Sequence, residues 1–333
     1  MQIRTENRTA LYLGLPSSAS RSKKELFASV RDRVWHRIND WNEKILSQAG
    51  KEILIKAVIQ AIPSYAMACF RLPESLLHEL QRMVSGFWWH NRGVRKIHWV
   101  TWKRMCESKL IGGLGFRSLK HFNTAMLAKH WWRFLRNSNS LVFQVLCVKY
   151  FPSGNISDAR LGYQPSFTWR SIMSAKKVFM ASLRWRIGLG TMVKAWSDPW
   201  IPRLWSFRLI TPPSSDSDDM YVVDFIDQSR GEWGRSLLEQ KLWQEDVDRV
   251  LEIPLSAKES PDTLVWHFTQ NGIFSVKSAY HLACRLESQE GPSTSQDWLR
   301  KWWINLWKAK IPNKIKVFTW RACLQALPTS RGL

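Results

Sequence analysis

The side chains best equipped for chemistry are few and poorly grouped. The five cysteines, Cys69, Cys106, Cys147, Cys284 and Cys323, are far apart. No C-x-x-C pair occurs, so neither a zinc ribbon nor a dithiol redox motif is encoded, and buried free thiols are expected. His281 and Cys284 stand at helical i, i+3 spacing, but two ligands do not close a tetrahedral zinc site. The adjacent carboxylates Asp218 and Asp219 resemble a metal-holding pair. They follow "TPPSSDS" rather than an apolar strand, and no second acidic strand accompanies them, so an acidic linker is the expected reading. "GGLGF" (Gly112–Phe116) has no phosphate-loop lysine and serine after it, and "GLG" at Gly188–Gly190 lacks the third glycine of a dinucleotide fingerprint; both read as turns.

What the chain does possess is positive charge. It carries 49 Lys and Arg against 27 Asp and Glu, a net charge of +22 over 333 residues. Residues 1–210 hold 34 basic against 11 acidic residues, residues 211–300 hold 8 against 16, and residues 301–333 hold 7 against none. A basic body and tail around an acidic middle point to a polyanion. The residues expected to touch phosphates are Arg31, Arg33, Arg37 and Lys44, then the cluster Arg92, Arg95 and Lys96, then Lys308, Lys310, Lys314 and Lys316. The plainer alternative is a solvated basic surface whose lysine and arginine stems cover apolar neighbours. The 21 tryptophans are expected mainly in the core, with a few exposed rings able to stack on bases.

The elements that must position these groups are mainly helical. Ser22–Glu25 has the form of a capping box. Leu26, Val30, Val34, Ile38, Trp41 and Ile45 follow at steps of three and four, one apolar stripe. Arg33, Arg37 and Lys44 fall along one edge of it and Arg31 on the other. Lys51–Ile62 is apolar nearly all round and ends at Pro63, which suits a buried helix. A helix from Pro73 to Trp89 is predicted with Leu76, Leu80, Met83 and Phe87 inward. "HNRGVRKIHWVTW" predicts a turn and short strand, and "RWRIGLGTMVKAW" two short strands about its glycines. Thr211–Asp219 and Gln289–Gln296 read as linkers. Between them, Leu264, Trp266 and Phe268 alternate before Asn271-Gly272, a hairpin signal with a return strand at Phe274 and Val276. The last helix offers Val317, Trp320, Leu324 and Leu327 on one face and Ile315, Phe318 and Ala322 on the other, so it asks for two partners: the hairpin and the helix after it as one, and the other beyond Leu333.

Several segments together carry a family resemblance: "LYLGLP" (Leu11–Pro16), "WNEKILSQAGKEILIKAVIQAIPSYAM" (Trp41–Met67), the run from Phe87 to Leu135, "YFP" (Tyr150–Pro152), "AWSDPW" (Ala195–Trp200), "GIFSVKSAYHLA" (Gly272–Ala283) and "LWKAKIPNKIKVFTWRACLQALPT" (Leu306–Thr329). The chain resembles the C-terminal part of plant LINE-type (non-LTR) retrotransposon reverse transcriptase polyproteins. The resemblance implies the end of a palm and a thumb-like helical region over residues 1–90, a basic Trp-rich connector over 91–210, and an acidic linker with the N-terminal part of a zinc-binding-type domain over 211–333. It implies a mainly α fold with small β-hairpins (α+β).

It also implies that the polymerase Asp-Asp metal site would lie before Met1 and the zinc ligands beyond Leu333, with ribonuclease H carboxylates absent. No catalytic residue and no cofactor is therefore expected in this chain. The expected function is non-catalytic, non-sequence-specific binding of RNA or DNA, with other retroelement modules as further partners. The alternative is an interaction fragment or decaying gene product with no retained activity. No run of eighteen apolar residues and no secretory leader appear, so no membrane partner and an intracellular location are expected, and the resemblance points to the nucleus.

Overall fold

The structure is a computed structural model that describes residues 11–12, 15–16, 26–42, 46–89, 97–203, 206–213, 219–255, 260–288 and 297–327. The fold is mainly α with three two-stranded antiparallel ladders. Ala28–Asn42 (α1) buries Val30, Val34 and Ile38, the stripe expected from the i, i+4 spacing. Ser22–Glu25 and Ile45 lie outside the described residues. Gln48–Leu54 (α2) begins where the Ser47 hydroxyl accepts the Gly50 N–H at 3.1 Å. It runs into a π-helical stretch, Ile55–Ile59, before Pro63 and the short Ser64–Cys69 (α3). Glu74–Trp89 (α4) buries Leu76, Leu80 and Phe87 as expected, while Met83 stays half-buried. No strand follows at 97–101; the Thr101 hydroxyl instead caps Trp102–Cys106 (α5). These elements share one core with Phe27, Leu114, Phe116 and Leu119.

Leu119–Arg136 (α6) leaves that core and forms the axis of a second. At the crossing, buried Asn123 is fully engaged. Its amide donates to the carbonyls of Met67 and Phe70, each at 2.9 Å, and its oxygen accepts the Leu72 N–H at 2.8 Å. Around α6 pack Leu141–Tyr150 (α7), Phe167–Met173 (α8) and Lys176–Met180 (α9). Trp131 is the centre of this layer and donates its indole N–H to the Ile172 carbonyl at 2.8 Å. Val276–Ser288 (α12, after the two helices of the third core) packs along α6 through Ala279 and Leu282.

The strands depart from local expectation. Leu11–Tyr12 (β1) pairs with Leu15–Pro16 (β2) in a minimal hairpin. Leu183–Arg186 (β3) does not pair with a strand beyond its own glycines. It pairs antiparallel with the distant Thr263–Trp266 (β6), Leu183 opposite Trp266 and Arg186 opposite Thr263. Gly188 and Gly190 instead form a turn around buried Asp262, whose carboxylate accepts the N–H groups of Gly188, Gly190 and Met192 at 2.7–2.9 Å. The Asn271-Gly272 turn is made, with Gly272 at φ +71°. No return strand follows: the Trp266 N–H donates to the Gly272 carbonyl at 2.9 Å across the turn, and the chain then enters α12 at Val276.

A third core runs from Ile187 to Ile253. It holds Ile226–Asp227 (β4) paired with Glu232–Trp233 (β5), then Arg235–Lys241 (α10) and Gln244–Leu251 (α11). Thr211 is not part of a solvated linker. Its N–H and hydroxyl both reach the wholly buried Asp246, at 2.8 and 2.7 Å, and Arg203 pairs with the same carboxylate at 3.0 Å. Residues 214–218 and 289–296 lie outside the described residues.

The chain ends its described course on the first core. Asp297–Lys308 (α13) and Asn313–Cys323 (α14) bring Trp303, Val317 and Trp320 into it. The inward face of the last helix thus meets the N-terminal half of the chain rather than the β6–α12 unit.

Candidate nucleic-acid interface

The "GGLGF" turn is the socket that holds α13 and α14. Gly113 passes so close to the Glu107 carbonyl oxygen that a Cβ would stand 2.0 Å from it. Gly112, at φ +90°, would meet the Trp303 ring at 3.0 Å. The Gly112 carbonyl accepts the indole N–H of Trp320 at 2.8 Å. The turn is therefore a backbone device for close approach, as its lack of phosphate-loop residues suggested, and its ligand is the chain's own tryptophans.

A charged node locks the same contact. Glu52 accepts from Lys56 at 2.6 Å and pairs with Lys109 at 2.7 Å; Lys109 lies over the Trp307 ring at 4.2 Å. Lys56 also donates to the Leu114 carbonyl at 2.6 Å. Burial opposes the Glu52 charge, but the hydrogen bonds from Lys109 and Lys56 outweigh it and hold its carboxyl below the usual range. Burial pulls Lys56 below the usual lysine range in spite of Glu52. None of these residues was singled out from the sequence: the Glu52–Lys56 pair is a local i, i+4 contact that the pattern offered, whereas Lys109 and the Leu114 carbonyl come from a segment more than fifty residues on.

With their inner faces so anchored, α13 and α14 present cations outward. Arg300, Lys301, Lys308, Lys310 and Lys314 are exposed, and no acidic residue occurs from Trp298 to Leu327. Lys316 differs from the other residues expected here: its ammonium donates to the Trp307 carbonyl at 3.0 Å and closes the end of α13. On α1, Arg33 and Arg37 are exposed, whereas Arg31 is tied to Asp32 at 2.8–2.9 Å. Lys44, Arg92, Arg95 and Lys96 lie outside the described residues. The exposed rings of Trp298 and Trp302 on α13 were also missed. Their i, i+4 spacing around Lys301 in "WLRKWW" was the available signal.

Among the described residues, no group of three or more His, Cys, Asp or Glu converges to hold an ion. His281 is exposed, and burial pushes the Cys284 thiol up and the Cys106 thiol to about 12. Asp219 points into solvent with Lys194 3.9 Å away, and Asp218 lies outside the described residues. Among the described residues no helix is long and apolar enough to cross a membrane.

Comparison with known proteins places these features in context. Residues 274–333 match the family described as zinc-binding in reverse transcriptase. A protein of Arabidopsis thaliana provisionally named a ribonuclease H protein is 32% identical over 327 residues, 95% of this chain. The chain spans 51% of that relative's length. An uncharacterized mitochondrial protein of the same plant is 41% identical over 143 residues, which are 42% of this chain and 93% of that relative.

Proposed function

The chain belongs to the reverse-transcriptase-related family of plant retrotransposons, and from that premise we propose that it binds RNA or DNA through phosphate contacts, without reading sequence and without catalysis of its own. The observation that carries this reading is the stretch from Trp298 to Cys323, which forms α13 after its first residue, the turn and α14: it holds no acidic residue and leaves Arg300, Lys301, Lys308, Lys310 and Lys314 exposed. Cations at such a surface displace the counterions condensed on a phosphate backbone, so affinity falls steeply as salt rises. Arg33 and Arg37 on α1 are a further contact row. By the same reading the chain works in the nucleus, where its template and target meet.

The test is a titration against duplex DNA at several salt concentrations. The wild-type chain is expected to give a log–log salt slope of several units. Replacing Lys308, Lys310 and Lys314 together by alanine is expected to reduce that slope by about 0.9 for each phosphate no longer neutralised. No binding at low salt, or a slope unmoved by the triple variant, rejects the proposal.

A second reading, an interaction segment that docks on other retroelement modules, is favoured by the outward Ile315 and Phe318 of α14, the latter 60% exposed. A chain that stays monodisperse and unchanged on Phe318→Ser removes that reading.

A further inference from the structure

We propose that Trp298 and Trp302 form a stacking platform for unpaired bases, so that the preferred ligand of the α13 surface is a single strand rather than a duplex. This rests on the phosphate-contact reading above and adds the feature that would discriminate between two polyanions of similar charge.

Trp298 is 70% exposed and Trp302 is 36% exposed, although both lie on a helix whose other aromatic rings, Trp303 and Trp307, turn toward the first core. Four residues apart, they occupy one ridge, separated by about 6 Å along the axis at ~1.5 Å per residue. Lys301 and Lys308, seven residues apart, occupy the neighbouring ridge. An aromatic row thus runs beside a cationic row. Trp302 is also held in orientation: its ring meets Trp303 edge-on, with centroids 4.7 Å apart and planes at 86°, and Trp303 is itself seated against Gly112. A ring so braced loses little freedom when a base stacks on it.

Exposure alone does not select these two. Trp243 is 56% exposed, but it precedes a helix carrying Glu245, Asp246 and Asp248, in the acidic middle of the chain. Trp35 is exposed on α1 beside Asp32, which already neutralises Arg31. Among the described residues, only α13 sets two exposed indoles one turn apart among cations, whereas Trp35 is a lone ring between Arg33 and Arg37; the one acidic residue of α13, Asp297, stands at its first position. A duplex keeps its base faces inside the stack, where rings on a convex helix cannot reach them. An unpaired strand offers a base face to each indole while its phosphates reach the lysines.

The experiment compares a labelled single-stranded homopyrimidine RNA with blunt duplex DNA of equal length, at one salt concentration, by fluorescence anisotropy. The double variant Trp298→Ala with Trp302→Leu is expected to lose about fivefold or more in affinity for the single strand, the scale of one stacked base, and to leave duplex affinity unchanged. Trp298→Phe with Trp302→Phe keeps a π face and is expected to restore most of the single-strand affinity. Trp298→Ala alone, at a solvent-facing position, guards against loss through misfolding and should retain the wild-type circular dichroism. Equal losses on both ligands, or no loss on either, overturn the platform while leaving phosphate binding intact. A wild-type chain that binds neither ligand overturns both.

Discussion

At the scale of single residues, burial and pairing divide the basic side chains into two populations. Lys56, Lys109 and Lys316 spend their charge on internal partners, Glu52, the Trp307 ring and the Trp307 carbonyl. Lys308, Lys310 and Lys314 face solvent. Glu52 is the sensitive member of the first group. Its folded-state carboxyl sits below the usual glutamate range, so the stability it contributes is present above the unfolded value and is lost as pH falls through the lowered folded one. Glu52→Gln is expected to cost about 1–2 kcal/mol near neutrality, since a third of each lysine partner remains in water. The variant should also flatten the acid limb of a stability-versus-pH curve measured by urea unfolding. An acid limb identical to wild type would show that the node contributes nothing.

At the scale of elements, the Gly-rich turn gives the clearest contrast between space and conformation. Gly113 has no room for a Cβ, whereas Gly154, at φ +74°, has nothing within 4 Å of one. Gly154→Ala should therefore cost only the backbone term, about 1–2 kcal/mol. Gly113→Ala must shift the Glu107 carbonyl and loosen the seat of Trp303 and Trp320, at or above the upper end of the ~1–3 kcal/mol typical of overpacking. Thermal melts that rank the two in the opposite order would refute this account of the turn. The same turn shows what could be read beforehand. Its failure to match a nucleotide cradle was plain from the residues that follow it. Its actual partner lies some two hundred residues onward, where no local pattern reaches. The α1 stripe was legible because i, i+4 burial is a local property. The β3–β6 pairing was not, because "LRWR" and "TLVW" carry no mark of each other and the nearby Asn-Gly turn suggested a closer mate. Of the candidate site, Lys308, Lys310 and Lys314 were named from charge alone, Lys301 was not, and the inward use of Lys316 required the packing.

At the scale of the whole molecule, the described chain folds back on itself: the second and third cores are built between residues 125 and 283, and the first is completed only by Trp303, Val317, Trp320 and Ala326. Removing residues 297–333 should uncover the Gly112 socket and forfeit the burial of two tryptophans, about 3 kcal/mol or more. Limited proteolysis is expected to cut the shortened chain first within residues 46–119 and to spare 125–180. Uniform resistance, or loss of the second core first, would contradict this division. The reach of the Trp320–Gly112 hydrogen bond, 208 residues along the chain, also sets a timetable. A ribosome adding ~5–20 residues per second needs roughly 10–40 seconds to travel that distance. For that interval the nascent N-terminal half waits with an open apolar seat, so its birth, rather than its finished state, is when it most needs a chaperone.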